Sequence, residues 1–373
     1  MTYNMKKILH IASFEGNIGD NASHLGFTEI FKILNLDIKI DRLEIRKSYN
    51  NYKKNDRIIF DDNFVQLANK YDYIIFGGGG FLDYWVDGSV NGTTINISNS
   101  ILSKINTKIL ITSIGSNPHR KIPIGNIEKF KDFLDYAKEN NNITIALRND
   151  GSLESIKKDI GIEYSEIFES VLDHGFFYSP SQIETLPIDE KYVAINITAD
   201  QIEMFSHGQV SVKDKNSYLK ELSQLTQDII DIHKLKIVFT SHIYSDLEAI
   251  TELLKLIPDH YKRTDIIIAP FFQGDIATDY LFNIYHNSEY IIASRYHANV
   301  CAISQNKKVI GLSPLQRIEY IHRQFSFSDT SVSLTPGFKN KVLKLMESEI
   351  SFNLTYLNEL KEKTLNFYEI YFK

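Results

Sequence analysis

The sequence contains a single cysteine, a single tryptophan and only eight prolines among 373 residues. One cysteine, Cys301, excludes an intrachain disulfide and a cysteine-rich zinc site. No stretch approaches the roughly 18 consecutive apolar residues that a membrane-spanning helix needs. The 41 basic residues are fewer than the 47 acidic ones, so the net charge of -6 provides no positive field for non-specific nucleic-acid binding. Any anion must be held by a local arrangement of residues.

The remaining composition is that of a globular protein, with 43% hydrophobic and 24% charged residues. The apolar run at residues 8–14 is too short and interrupted for a signal peptide. With one cysteine, we expect a cytoplasmic protein, with the inner face of the membrane as a second location. Residues 338–373 have helix-like spacing, which favours a packing helix over a helix that lies on a membrane.

Short runs rich in Ile and Val alternate with longer amphipathic stretches, which is typical of parallel sheets covered by helices on both faces. Ten such runs occur, and a polar stretch with turn residues near positions 179–187 separates the first five from the last five. The predicted strands are residues 8–12, 38–40, 73–76, 109–111, 143–147, 192–197, 237–240, 266–269, 290–293 and 309–312.

This pattern predicts an α/β fold with two doubly wound parallel-sheet domains facing a cleft and a C-terminal helix that crosses back to the first domain. We place an N-terminal α/β domain at residues 1–180, a C-terminal α/β domain at 181–335 and a helical segment at 336–373. Ligands of open α/β sheets bind at the carboxyl ends of strands. Four strand ends carry candidate residues.

The first candidate segment follows the first strand, where Gly16, Asn17, Gly19 and Asp20 open a predicted helix. Glycines let a ligand approach the backbone, and helix N-terminal amides attract anions. Asp20 suits either a helix cap or a general base.

The second segment is a run of four glycines after the third strand, including Gly78 and Gly79, and Asp83 follows it. The run suits a tight turn or close contact with a ligand. The third candidate is Arg148 at the end of the fifth strand. Its guanidinium suits a carboxylate or phosphate, or a structural salt bridge with a nearby aspartate.

The fourth segment contains Arg295, Tyr296 and His297, after the strand at residues 290–293 and at the start of a predicted helix. It combines a permanent cation, a group that titrates near neutrality and helix amides, which suits an anionic ligand and proton transfer. A structural role for the histidine is the alternative. We expect no metal site, because no His-x-x-x-His or His-Glu-x-x-His pairing occurs. Weaker signals of the same kind come from His242, Asp246, Gln316 and Arg317.

These motifs, taken in order, resemble the polysaccharide pyruvyl transferase family over roughly residues 6–325. The resemblance implies a two-domain fold similar to the GT-B glycosyltransferases. It also implies transfer of the carboxyethylidene group of phosphoenolpyruvate to sugar hydroxyls, with formation of a ketal and release of phosphate. The matching motifs are Asn17-x-Gly19-Asp20, the glycine run, Ile114-Gly115, Arg148 and Ser294-Arg295-x-His297-Ala298.

In this interpretation, Arg148, Arg295, Tyr296 and His297 bind phosphoenolpyruvate, which is the donor substrate, and no cofactor is needed. His297 is the candidate general acid. Asp20 is the candidate general base, with Asp83 in reserve. The glycine loops with Gly16, Asn17, Gly19, Gly78 and Gly79 lie on the acceptor side.

The expected acceptor is a sugar of a cell-surface polysaccharide, such as a capsule or exopolysaccharide, or a precursor that is lipid-linked or attached to a nucleotide. No nucleic-acid partner is expected, and peripheral association with a membrane stays open. Two alternatives remain, a GT-B-like glycosyltransferase that uses a nucleotide sugar and a catalytically inert glycan-binding protein.

Overall fold

The computed structural model describes residues 5–183, 186–202, 204 and 214–373. The chain divides into two compact units. The first unit contains the described residues up to Phe14, Phe27–His174 and Leu360–Lys373. The second contains Glu15–Gly26 and the described residues of Gly175–Glu359.

The first unit is built on a six-stranded, wholly parallel sheet with the strand order β2-β1-β3-β4-β5-β6. Its central strands are apolar because both faces are covered, and β3 is buried along its whole length. The strands are β1 (Lys6–Ala12), β2 (Ile38–Glu44), β3 (Tyr73–Gly79), β4 (Lys108–Ile114), β5 (Ile143–Arg148) and β6 (Phe168–Val171).

Helices in this half of the chain bury apolar faces against the sheet. In α4, Phe130, Phe133 and Leu134 recur at helical spacing and are at most 1% exposed. The helix α1 begins among residues that belong to the second unit and ends in the first. The helices are α1 (Ile18–Ile33), α2 (Asp62–Ala68), α3 (Asn99–Leu102), α4 (Asn126–Glu139) and α5 (Ser152–Asp159).

The second unit repeats the architecture, with a six-stranded parallel sheet in the order β12-β11-β10-β7-β8-β9. The strands are β7 (Tyr192–Asn196), β8 (Lys236–Thr240), β9 (Ile266–Ile268), β10 (Tyr290–Ala293), β11 (Val309–Ser313) and β12 (Ser331–Ser333). The helices are α6 (Lys215–Asp228), α7 (Tyr244–Leu254), α8 (Asp259–Thr264), α9 (Asp275–His286), α10 (Tyr296–Ser304), α11 (Gln316–Phe325) and α12 (Phe338–Met346).

The C-terminal helix α13 (Leu354–Phe372) returns the chain to the first unit, as the sequence predicts. The hydroxyl of Tyr368 lies 2.5 Å from Thr112 Oγ1 and 2.6 Å from His174 Nε2, all buried. Phe372 packs edge-on against Phe31 and Tyr73. No helix in the described residues is long and apolar enough to cross a membrane.

All ten predicted strands are confirmed, and the two-domain parallel α/β class is correct. The strands β6 and β12 are additional. Both lie at a sheet edge, have four and three residues, and include exposed polar positions. An edge strand of this kind has no continuous apolar run, which is why the pattern of hydrophobic residues does not reveal it.

Candidate functional site

The second sheet reverses its strand order between β7 and β10, since β8 and β9 lie on one side of this pair and β11 and β12 on the other. Ligands of open α/β sheets bind at such a switch point, beyond the carboxyl ends of the strands. Asn196 ends β7, and its Oδ1 accepts a hydrogen bond of 2.9 Å from the backbone N–H of Arg295, which follows β10. The predicted Arg295 segment therefore begins at this position.

The guanidinium of Arg295 is held by two carboxylates, Asp246 and Asp200, which we call the Arg295 cluster. Nε of Arg295 donates to both Asp246 oxygens at 3.1 and 3.3 Å, and Nη2 donates to Asp200 Oδ1 at 2.8 Å. On the third nitrogen, Nη1, Gln201 accepts at 2.8 Å when its amide is oriented to satisfy both groups. Because Nη1 contacts a neutral amide, whereas Nε and Nη2 contact carboxylates, an anion would be repelled least at Nη1.

In the Arg295 cluster, the opposite charges stabilise one another and offset the cost of burying them. Burial alone would lower the pKa of Arg295, but Asp246 and Asp200 raise it above its usual value. Burial works against ionisation of Asp200, yet Arg295 and a hydrogen bond from Thr198 bring the pKa of Asp200 below its usual range. Burial raises the pKa of the deeper Asp246, against the attraction of Arg295. Arg295 is therefore cationic but locally neutralised.

The glycine loop that precedes α1 meets the same strand ends in the second unit. The backbone N–H of Ile18 donates to the carbonyl of His242 at 3.1 Å. A Cβ on Gly19 would lie 2.9 Å from His242 Nδ1 and 3.0 Å from His297 Nδ1. The first distance is shorter than a Cβ tolerates and the second is tighter than most Cβ contacts, so the approach of the two imidazoles favours glycine at position 19.

Asp20 lies beside His297, with 3.7 Å between its Oδ1 and the imidazole Nδ1. Asn17 caps α1, because its Oδ1 accepts from the N–H of Gly19 at 3.0 Å, and Asp20 lies inside the first turn. The side chains of Asp20 and His297 are 15% and 8% exposed. His297 is therefore buried and Asp20 partly exposed, and a carboxylate and an imidazole so close together can exchange protons with a bound ligand.

His242, which gives only a weak sequence signal, is part of this arrangement. Its Nε2 lies 2.9 Å from the hydroxyl of Tyr285, which lies 2.8 Å from Thr240 Oγ1. Burial, together with the charges of Arg295 and His297, holds the pKa of His242 well below its usual value. His242 is therefore a neutral, hydrogen-bonded imidazole at neutral pH.

Tyr296 is buried beside these groups, and the guanidinium of Arg317 lies over its ring, 5.9 Å from the centroid. Nη2 of Arg317 also donates to Gln201 at 3.1 Å in the amide orientation described above. Arg317 follows β11 at the start of α11. The switch point therefore brings a second arginine close to the Arg295 cluster. This arginine, Arg317, gives only a weak signal in the sequence.

Arg148 ends β5 in the first unit and has the same kind of partners. Its Nε donates to Asp150 at 2.6 Å and its Nη1 to Asp173 at 3.1 Å, and we call these three residues the Arg148 cluster. Their side chains are 3%, 1% and 0% exposed. A Cβ on Gly115 would lie 2.9 Å from Arg148 Nη2, so glycine at this position leaves room for the guanidinium.

The glycine run and Asp83 organise the loop after β3. Gly78 and Gly79 have φ angles of 74° and 153°, which favour glycine. The carbonyl of Gly79 accepts from the N–H of Gly115 at 2.7 Å, which joins this loop to the one after β4. Asp83 accepts from the N–H of Asn117 at 2.7 Å and from Trp85 Nε1 at 3.3 Å.

The structure thus divides the predicted site residues between the two units. Sequence reasoning missed the partners of the arginines, because nothing in the spacing tells which strand ends become neighbours. Among the described residues, no three His, Cys, Asp or Glu side chains cluster as metal ligands would. The second unit holds Gly16, Asn17, Gly19, Asp20, Arg295, Tyr296 and His297, and the first holds Gly78, Gly79, Asp83 and Arg148.

Solved structures define the class of fold. UDP-GlcNAc 2-epimerase from Methanocaldococcus jannaschii is 13% identical, with a TM-score of 0.55 over 93% of this chain and 94% of that chain. UDP-N-acetylglucosamine 2-epimerase from Rickettsia bellii is 12% identical, with a TM-score of 0.55 over 99% and 98%. A glycosyltransferase from Rickettsia africae is 12% identical, with a TM-score of 0.53 over 98% and 93%. The fold is therefore GT-B-like.

The sequence identifies the family within this class. The family model for polysaccharide pyruvyl transferase matches residues 17–315. The chain belongs to this family, as its ordered motifs predict. No curated protein matches the chain in sequence.

Proposed function

We propose that this protein transfers the carboxyethylidene group of phosphoenolpyruvate to two hydroxyls of a sugar in a cell-surface polysaccharide or its precursor. The products are a cyclic ketal and inorganic phosphate. Membership of the polysaccharide pyruvyl transferase family supports this proposal. The observation that carries it is the pairing of Asp20 with His297, which lies in the first turn of α10, the helix that Arg295 precedes.

The donor has about three negative charges near neutral pH. Arg295 can donate to it from Nη1. Arg317 lies close to this nitrogen, because it also donates to Gln201 and its guanidinium lies over the ring of Tyr296. The α10 helix begins at Tyr296, so its N-terminal amides add positive potential at the same place. Direct binding of the donor by Arg148 stays a prediction, and the enclosure of Arg148 by two carboxylates favours a positioning role.

The reaction needs a proton on the methylene carbon of phosphoenolpyruvate, which makes the neighbouring carbon electrophilic. His297 supplies this proton. The first sugar hydroxyl then attacks, and Asp20 accepts its proton. Since Asp20 and His297 are 3.7 Å apart, the proton can return to the imidazole. The second hydroxyl displaces phosphate, and its proton leaves with the phosphate, so atoms and charges balance.

The proposal is tested by incubating the protein with phosphoenolpyruvate and acceptor oligosaccharides. The acceptors come from the surface polysaccharide of the organism that carries the gene, after mild acid has removed existing ketals. We expect one phosphate for each ketal, with the ketal detected by nuclear magnetic resonance of its methyl group. Phosphate release without a ketal, or no reaction with any oligosaccharide fraction, would contradict the proposal.

Variants assign the roles. His297→Gln and Asp20→Asn should each lower turnover by about 10²–10⁴-fold, the usual contribution of general acid–base catalysis. His260→Gln is the matched control, because His260 is exposed on α8. Full activity of His297→Gln would show that another group protonates the donor.

A further inference from the structure

The only tryptophan of the chain, Trp85, lies in the loop after β3 at the carboxyl edge of the first sheet. It is half-buried, whereas Phe81, Leu82 and Tyr84 of the same loop are buried. A large aromatic ring that stays partly accessible at this edge of a parallel sheet is where a ligand would be expected.

The structure fixes this ring from several directions. Asn126, the first residue of α4, donates from Nδ2 to the carbonyls of Tyr84 at 3.0 Å and Val86 at 2.8 Å, which holds the backbone on both sides of Trp85. Asp83 accepts from the indole N–H at 3.3 Å and thereby orients the ring. A ring held in this way loses little conformational entropy when a ligand binds.

Asp83 also connects Trp85 to the neighbouring loop. Its other oxygen accepts from the N–H of Asn117 at 2.7 Å, and the carbonyl of Leu82 accepts from Ser116 Oγ at 3.0 Å. Both partners lie in the loop after β4. The carboxylate therefore holds the two loops together, which suits a positioning role.

Two side chains from the loop after β4, Arg120 and His119, lie close to the ring. The guanidinium of Arg120 lies over the indole, 4.6 Å from its centroid, and the ring of His119 is 5.9 Å away. Arg120 and Lys121 are exposed. The N–H donors of Arg120 can reach hydroxyl groups of a ligand that contacts the indole.

We propose that Trp85 and Arg120 form a subsite for a pyranose ring of the acceptor glycan, with Asp83 and Asn126 as its positioning residues. The inference rests on the proposed function, because it assumes that a glycan is the acceptor. A pyranose presents C–H groups that contact the electron-rich face of an indole, and its hydroxyls accept from Arg120. Phosphoenolpyruvate is small and highly charged and has no comparable apolar face.

The single tryptophan makes a direct test possible, since every change in tryptophan emission reports on Trp85. The full-length protein is titrated with the ketal-free oligosaccharides described above, with calorimetry on the same samples. We expect a saturable change in emission with the oligosaccharides and none with phosphoenolpyruvate alone. Binding seen by calorimetry without a change in emission would overturn the subsite, and the absence of any binding would overturn both proposals.

Variants separate the subsite from the reaction. Trp85→Ala should raise KM for the glycan about tenfold, the upper part of the range for one aromatic contact, and leave kcat and KM for phosphoenolpyruvate unchanged. Trp85→Phe keeps an aromatic face and should recover part of the loss. Phe327→Ala, which removes a 70% exposed ring in the second unit, is the control.

The two proposals fail in different ways. If ketal forms and Trp85→Ala has the wild-type KM for the glycan, the subsite is wrong and the transferase proposal stands. If the emission change saturates but no ketal forms with any donor concentration, the glycan subsite stands and the transferase proposal fails.

Discussion

The Arg148 cluster and the Arg295 cluster are built alike but differ in access. Each places an arginine at a strand end between two aspartates. In the Arg148 cluster no side chain is more than 3% exposed. In the Arg295 cluster, Asp200 is 33% exposed and the arginine 10%.

Their positions in the sheets differ as well. Arg295 follows β10 at the point where the second sheet reverses its strand order. Arg148 ends β5, next to the edge strand β6. Asp20 and His297, the proposed proton-transfer groups, lie in the same unit as Arg295, and Asp20 is partly exposed. We therefore expect a ligand at a strand-end arginine only where the sheet topology and solvent access also favour one.

The largest expected effect is on stability and is the same for both clusters. Arg148→Met and Arg295→Met each leave two carboxylates without their buried partner, so each should lower the free energy of unfolding by about 3–5 kcal/mol. Denaturant unfolding measures this. Lys104→Met is the control, because its ion pair with Asp62 is exposed and worth at most about 1 kcal/mol. A loss as small as the control's would mean that the aspartates are neutral in the folded state.

Catalysis should separate the clusters. Arg295→Lys keeps the charge but loses the fork that contacts both carboxylates and that we propose for the donor, so two charge-assisted hydrogen bonds worth about 1.5–3 kcal/mol each are disturbed. We expect kcat/KM for phosphoenolpyruvate to fall about a hundredfold, since 1.36 kcal/mol is about tenfold. In Arg148→Lys, kcat/KM for phosphoenolpyruvate should fall less than tenfold. Equal losses would show that Arg148 binds the donor directly.

Acid should destabilise the second unit through two buried histidines. Burial lowers the pKa of His322 to about 3, and burial with nearby charges lowers that of His242. The unfolded chain binds these protons more readily, so the stability is fully present above about pH 6.5 and is lost as the pH falls towards the folded pKa. At pH 5, His322 should have cost about 2 kcal/mol of stability relative to pH 7, and His242 should add a loss of the same sign.

Unfolding curves at pH 7 and pH 5 measure this loss. His322→Asn should reduce the difference in stability between the two pH values by about 2 kcal/mol, and His242→Asn should reduce it in the same direction, because the titrating group is gone. His260→Gln, which changes an exposed histidine, should leave it unchanged. A pH dependence that survives both variants would show that these imidazoles are protonated in the folded state.

The smallest effects are expected from alanine substitutions at two glycines, Gly19 and Gly115. A Cβ at Gly19 would press on His242 and His297, whereas a Cβ at Gly115 would press on Arg148 and Asp150. Overpacking should cost about 1–2 kcal/mol at Gly115. At Gly19 a gain in helix propensity of about 1 kcal/mol offsets part of that cost. Turnover should fall about tenfold in Gly19→Ala alone, because the imidazoles would move by a few tenths of an ångström, less than the displacement of about 1 Å that costs about a hundredfold. Equal turnover in both variants would contradict a catalytic role for His297.

Much of the fold follows from the sequence, because buried parallel strands are continuous Ile and Val runs that end where the polar residues begin. The motif residues Asn17, Gly19 and Asp20 could also be located this way. Strand order is not encoded in spacing, so the meeting of Gly19 with His242 and His297 could not be predicted. The same holds for Asp200 and Asp246, which are distant in sequence from the arginine that they neutralise.

Transfer in deuterated water tests most directly whether the methylene carbon of phosphoenolpyruvate is protonated before the sugar attacks. If an exchangeable acid such as His297 protonates the methylene carbon before the sugar attacks, the methyl group of the product ketal must carry one deuterium. We expect this singly labelled methyl group from the wild-type protein, with the rate of labelling reduced in His297→Gln as much as phosphate release. An unlabelled methyl group, or a product in which the =CH2 group of phosphoenolpyruvate is still present, would contradict the proposed protonation of the donor.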